Sequence, residues 1–195
     1  MRRAWELVQR HPGVRAARYE LSLYRDLARW MRGRVEVPAG AAALPHQPGR
    51  LQMLGFLTAI MLVEIVAVHL LLPPGTVRIV AFVVSVWGVV FVWALVASER
   101  VRPSYVTDEE IVLRRGRKVF AAVPRETVAA VRRDRSFASD VALGDGELAL
   151  GGPAGTDLFL ELREPVDAAH DTYPWQKVRT EPVTRLRFYA GGVEL

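Results

Sequence analysis

The side chains able to do chemistry in this chain of 195 residues are few and scattered. Glu64 and His69 fall inside an apolar stretch, where an ionisable group is costly unless a partner receives it. Their five-residue spacing sets them ~140° apart on a helix, a poor geometry for two ligands of one metal. Arg132-Arg133-Asp134-Arg135 could receive a phosphate or lipid headgroup, or could simply be a solvated strand end. Asp167, His170 and Asp171 are metal-type ligands without a second cluster to join them. Ser136 and Ser139 lack the neighbours that activate a nucleophile. There is no cysteine, which excludes thiolate chemistry and disulfides. Residues 151–155 are glycine-rich but lack the Lys-Ser/Thr pair of a phosphate loop. No catalytic residue, metal or cofactor is expected, and the expectation is a non-enzymatic protein.

The elements that would position these groups divide the chain sharply. Residues 51–72 and 77–97 are apolar stretches separated by Pro73-Pro74-Gly75-Thr76, and each matches the ~30 Å hydrocarbon core of a bilayer. They predict a two-helix transmembrane hairpin over 51–98. Glu64 then lies ~4 Å from mid-span, and pairing the helices about the turn brings Ser85 to its depth, which predicts a Glu64 to Ser85 hydrogen bond. Arg78 is expected to snorkel outward. Gly55, Ala59, Gly88 and Ala94 could admit close helix contact.

Ten arginines against four acidic residues precede the first span, and Arg100 and Arg102 follow the second. The positive-inside rule therefore predicts both termini in the cytoplasm of a bacterial inner membrane. Only Lys118 and Lys177 among the 26 basic residues are lysines. That bias points to a GC-rich bacterial genome, and the sequence pI of 10.1 follows from positive-inside bias without a nucleic-acid partner. No cleavable signal precedes the first span, because the apolar run starts late and follows a long Arg-rich segment.

Residues 1–33 form an Arg-rich segment. Pro12-Gly13 starts a helix and Gly33 stops it. Helical spacing gathers Arg15, Arg18, Arg25, Arg29 and Arg32 in one arc opposite Leu21, Leu23, Tyr24, Leu27 and Met31, with Glu20 the one interruption. Such a helix could lie on an anionic leaflet, or could pack its apolar side on the rest of the protein or a second copy. Residues 34–50 read as a linker, with His46 a solvated or interfacial residue.

After Pro103 the period becomes that of strands. Short runs at 105–107, 111–114, 118–123, 128–132, 147–150, 158–162 and 183–189, broken by turn residues, predict an α+β protein ending in a small antiparallel barrel or sandwich over 104–195. A long polar loop is expected between Pro165 and Pro182. The run Tyr105-Val106-Thr107-Asp108-Glu109-Glu110-Ile111-Val112-Leu113-Arg114-Arg115-Gly116, with Val123-Pro124 before Val128-Ala129-Ala130-Val131, resembles the bacterial pleckstrin-homology-like domains attached to membrane hairpins. The Arg-His-Pro-Gly opening at 10–13 and the Glu64 to His69 span are similar to two-span membrane proteins of high-GC bacteria. The resemblance implies a barrel of two small sheets and no catalytic residues. It also implies a closing helix, for which residues 190–195 are too few. The function expected is a membrane-anchored binding or scaffold module contacting a protein or lipid headgroup at the inner surface. The alternatives are an accessory subunit using Glu64 and His69 for helix contacts, a homo-oligomer among them, or a small membrane enzyme or transporter.

Overall fold

The computed structural model describes residues 11–174 and 176–193. Helix α1 spans Pro12–Met31, where the fixed φ of Pro12 suits the first helical position and the Gly13 N–H donates to His11 Nδ1 at 3.2 Å. Gly33, at φ 65°, ends it as its sequence position predicts: the Gly33 and Arg34 N–H groups donate back to the Trp30 and Arg29 carbonyls at 2.8 and 3.0 Å. Helices α2 (Arg50–Leu71) and α3 (Thr76–Val101) follow, both long and apolar enough to cross a membrane.

The hairpin packs through a stripe on α2 spaced four and three residues apart: Leu54, Thr58, Met61, Ile65 and Val68 are all buried or half-buried. Trp93 Nε1 on α3 donates to Thr58 Oγ1 at 2.9 Å, and Gly88 lies against the Met61 side chain. At the end away from the turn, Arg50 and Glu99 pair at 2.6 Å.

Two sheets complete the α+β fold. One orders β1 (Ala42–Ala43), β2 (Tyr105–Val106), β3 (Glu110–Arg115) and β4 (Lys118–Pro124), all antiparallel. The other comprises β5 (Val128–Ser136), β6 (Val141–Gly144), β7 (Glu147–Leu150), β8 (Thr156–Ala169) and β9 (Thr180–Phe188), in the order β5-β8-β9-β7-β6. Alternation on β8 buries Leu158, Leu160 and Leu162, which meet Leu113, Phe120 and Val123 of the first sheet in one core. One pairing departs from the all-antiparallel expectation, since β7 runs parallel to β9.

Three sequence expectations are corrected by this topology. The loop expected between Pro165 and Pro182 is shortened at both ends, because β8 continues through Pro165 to Ala169 and β9, starting at Thr180, already holds Pro182 opposite Asp167. Proline is tolerated there because β8 shifts register between Glu161 and Val166 and has lost its β5 neighbour beyond Leu162. The 34–50 segment contributes β1 and the core residue Leu44. His46, expected in solvent or at an interface, is half-buried, with Nε2 3.3 Å from the Arg100 carbonyl. After Phe188 the described chain turns rather than forming a helix, and the Ala190 and Gly191 N–H groups donate to Asp157 at 2.6 and 2.8 Å.

Candidate functional site

Asp26, in the C-terminal half of α1, is the residue on which the three parts of the molecule converge. Its side chain has no solvent exposure. Arg117, in the β3–β4 turn, donates to it through Nε and Nη2 at 2.9 and 3.1 Å. Ser98 Oγ of α3 and Arg29 Nη1 each donate at 3.1 Å, and Arg102 Nε lies 3.4 Å away. Burial pushes this carboxyl up, but the Arg117 hydrogen bonds and charge, with the Arg102 charge and the Ser98 bond, outweigh it and hold it below the ordinary value. Glu36 shares the load, pairing with Arg29 at 3.1 Å and with Arg102. The close approach requires Gly116, whose φ is 58° and whose Cβ, if present, would sit 2.9 Å from Ser98 Oγ.

Around this junction α1 divides into three sectors instead of the two its pattern predicts. Leu23 is 1% exposed, and the Trp30 ring centre lies 5.9 Å from that of Trp93 on α3. Glu20, the odd acid on the apolar side, accepts from Tyr24 Oη at 2.6 Å and from Trp87 Nε1 at 2.8 Å, so its charge has partners on the same side as the hairpin. Leu21 and Met31, by contrast, remain 52% and 79% exposed. The arginine arc divides too. Arg29 is spent on Asp26 and Glu36, and Arg15 donates to the Pro174 and Gln176 carbonyls at 3.4 and 3.3 Å. Arg18, Arg25 and Arg32 stay exposed.

A cleft of 820 Å³ opens beside the junction, between α1, α3, the β3–β4 hairpin and residues 171–174, Gln176 and Val178. Four cations line it, Arg15, Arg115, Arg117 and Lys118, against the carboxylates of Glu99 and Asp171. Those carboxylates are engaged: Glu99 with Arg50, and Asp171 with Lys118 at 2.9 Å. Arg115 donates to the Gly151 carbonyl, and neither it nor Arg15 has a carboxylate partner among the described residues. Tyr19 borders the cleft from α1, and burial, then the Glu99 charge, raise its phenol above the usual value, keeping it a neutral donor.

The residues singled out inside the hairpin are not brought together. Ser85 is half-buried, but Glu64 is exposed on the flank of the α2 stripe and the expected hydrogen bond between them does not form. Depth was matched and rotation was not: Glu64 is ~60° around the helix from Met61, which faces Gly88. His69 is also exposed. Arg78 turns back rather than snorkelling, donating through Nε to the Leu72 carbonyl at 2.8 Å, just past the end of α2. Gly55 and Ala59 are exposed, while Ala94 is buried.

On β5, an edge strand, the three arginines are exposed and do not converge. Arg132 faces Glu161 at 3.6 Å, Arg133 donates to the Gly192 carbonyl at 3.3 Å, and Arg135 stacks over Phe137 at 5.4 Å. His170 pairs with Glu181 at 3.4 Å, Ser139 donates to Asp140 at 3.0 Å, and no group of three metal-type ligands occurs among the described residues. Asp26 escaped sequence reasoning because an acid among arginines on a helix looks like a local pair. The one available signal was Arg29 three residues on. No family model, curated protein or solved structure matches the chain, so the reading of this site rests on its geometry.

Proposed function

We propose that this protein is a non-enzymatic, membrane-anchored binding module. The hairpin of α2 and α3 crosses a bacterial inner membrane with both termini in the cytoplasm, and a pleckstrin-homology-like β domain meets a protein or lipid headgroup at the inner surface. The observation that carries this reading is α1. It is clamped at Asp26 across the Ser98 end of α3, yet it leaves Arg18, Arg25 and Arg32 exposed beside the uncovered Leu21 and Met31. A helix docked at that level with arginines flanking an apolar strip suits the headgroup zone of an anionic leaflet. It sets the height of the β domain through the Asp26 to Arg117 bond.

The test reverses the free arginines only, as R18E/R25E/R32E. Each arginine near such a surface is worth about 1 kcal/mol, so protection of α1 from protease in phosphatidylglycerol vesicles should fall strongly, with protection in phosphatidylcholine unchanged. Equal protection of variant and parent in anionic vesicles would refute surface binding. A second reading, an accessory subunit in a larger membrane complex, is favoured by one observation: Glu64 and His69 are both exposed on the apolar hairpin. Co-purification of a partner membrane protein that depends on Glu64 would establish it.

A further inference from the structure

We infer that the cleft beside Asp26 binds the phosphate of an anionic phospholipid drawn from the adjoining leaflet. The inference rests on the membrane orientation proposed above. Arg15 and Arg115 approach the cleft from different walls, one on α1 and one at the end of β3. Each guanidinium carries five donors and, among the described residues, gives hydrogen bonds only to backbone carbonyls, leaving donors and a full charge for an anion. An ionised phosphate would replace neutral acceptors with charge-assisted ones. Tyr19, held protonated, adds a neutral donor beside them.

The apolar part of the wall selects the source of that phosphate. Leu95 belongs to the apolar length of α3, and Val119 and Val178 line the same cleft while 47% and 69% exposed. A free phosphate would leave this surface and most of the 820 Å³ unfilled. A lipid places its phosphate among the cations and its glycerol and upper acyl carbons along Leu95 and Val119, without leaving the depth at which α1 lies.

The test uses the full chain in phosphatidylcholine nanodiscs doped with a photoactivatable phosphatidylglycerol, with crosslinks mapped by mass spectrometry. Crosslinks are expected on residues 115–120, 171–174, Gln176 and Val178, and R15A/R115A should lower them roughly 30-fold, given about 1 kcal/mol for each arginine near an anionic surface. V119E, which adds a carboxylate at an exposed position and removes no hydrogen bond, should do the same with the fold intact. Unchanged cleft labelling in both variants overturns the inference. So does equal labelling by a photoactivatable phosphatidylcholine, or suppression by inorganic phosphate, which would make the site one for a soluble anion. Crosslinks beside Arg18 and Arg25 report separately on the surface helix: their loss with cleft labelling retained counts against that reading alone.

Discussion

Replacing Asp26 by Asn should release α1 from the junction while leaving the β domain folded. The substitution keeps the shape and one acceptor oxygen but removes the charge that faces Arg29, Arg102 and Arg117. Removing one partner of a fully buried ion pair costs about 3 to 5 kcal/mol. Here the carboxylate is sealed, but the arginines keep 39%, 16% and 33% of their side-chain exposure and can rehydrate. That reduces the expected cost to about 2 to 3 kcal/mol, or roughly a 30- to 150-fold shift in the docked-to-undocked ratio of α1. Amide hydrogen exchange of the protein in nanodiscs reads this directly, since undocking leaves the central amides of α1 to exchange by local opening.

Faster exchange confined to α1 and the β3–β4 turn is the expected pattern. The pH dependence supplies a second reading with its own sign. The folded carboxyl titrates below its ordinary value of 3.8, so its contribution is complete above that pH and is lost as pH falls through the folded value. The Asn variant should lack this acid-induced release. Unchanged exchange in α1, or loss of protection spread equally over β5 to β9, would refute the account of Asp26 as a local clamp.

Gly116→Ala should weaken the same junction by about 1 to 3 kcal/mol, combining a Cβ at positive φ with its collision at Ser98, and the check is the exchange rate of α1 against a Gly40→Ala control, where nothing lies within 4 Å. His46 is held below its usual value of 6.5 by burial and by the Arg100 charge, so its contribution is present above pH 6.5 and declines as pH falls; a melting temperature that drops between pH 7 and 5 should lose part of that slope in His46→Gln. Glu64→Gln should leave the thermal stability of the isolated chain within about 0.5 kcal/mol, because the carboxyl is exposed and has no partner among the described residues, and a larger loss would overturn that placement.

How far the sequence could be read depends on how local each signal was. The two helical stretches, the Pro12 start and Gly33 stop of α1, and the alternation on β8 were legible because composition, capping and period act within a few residues. Strand ends were less so: Pro165 and Pro182 suggested a loop, but edge position and a register shift, both tertiary facts, admitted them into β8 and β9. The depth of Ser85 opposite Glu64 follows from counting residues about the turn. The rotation of each helix does not, and it decides whether two side chains meet. The clamp was illegible for the same reason. Asp26 acquires its role from Ser98 and Arg117, and no spacing rule links residues so far apart.

The sequence separation within that clamp also constrains the order of assembly. Ser98 lies 72 residues after Asp26 and Arg117 lies 91 residues after it. During synthesis α1 therefore emerges with only Arg29 to pair its aspartate, and the full junction cannot form until α3, Arg102 and the β3–β4 hairpin exist. Closing of the junction therefore follows synthesis of Arg117. Pulse-labelled chains truncated before Arg117 should retain a protease-accessible α1, and chains extended beyond the β3–β4 hairpin should not.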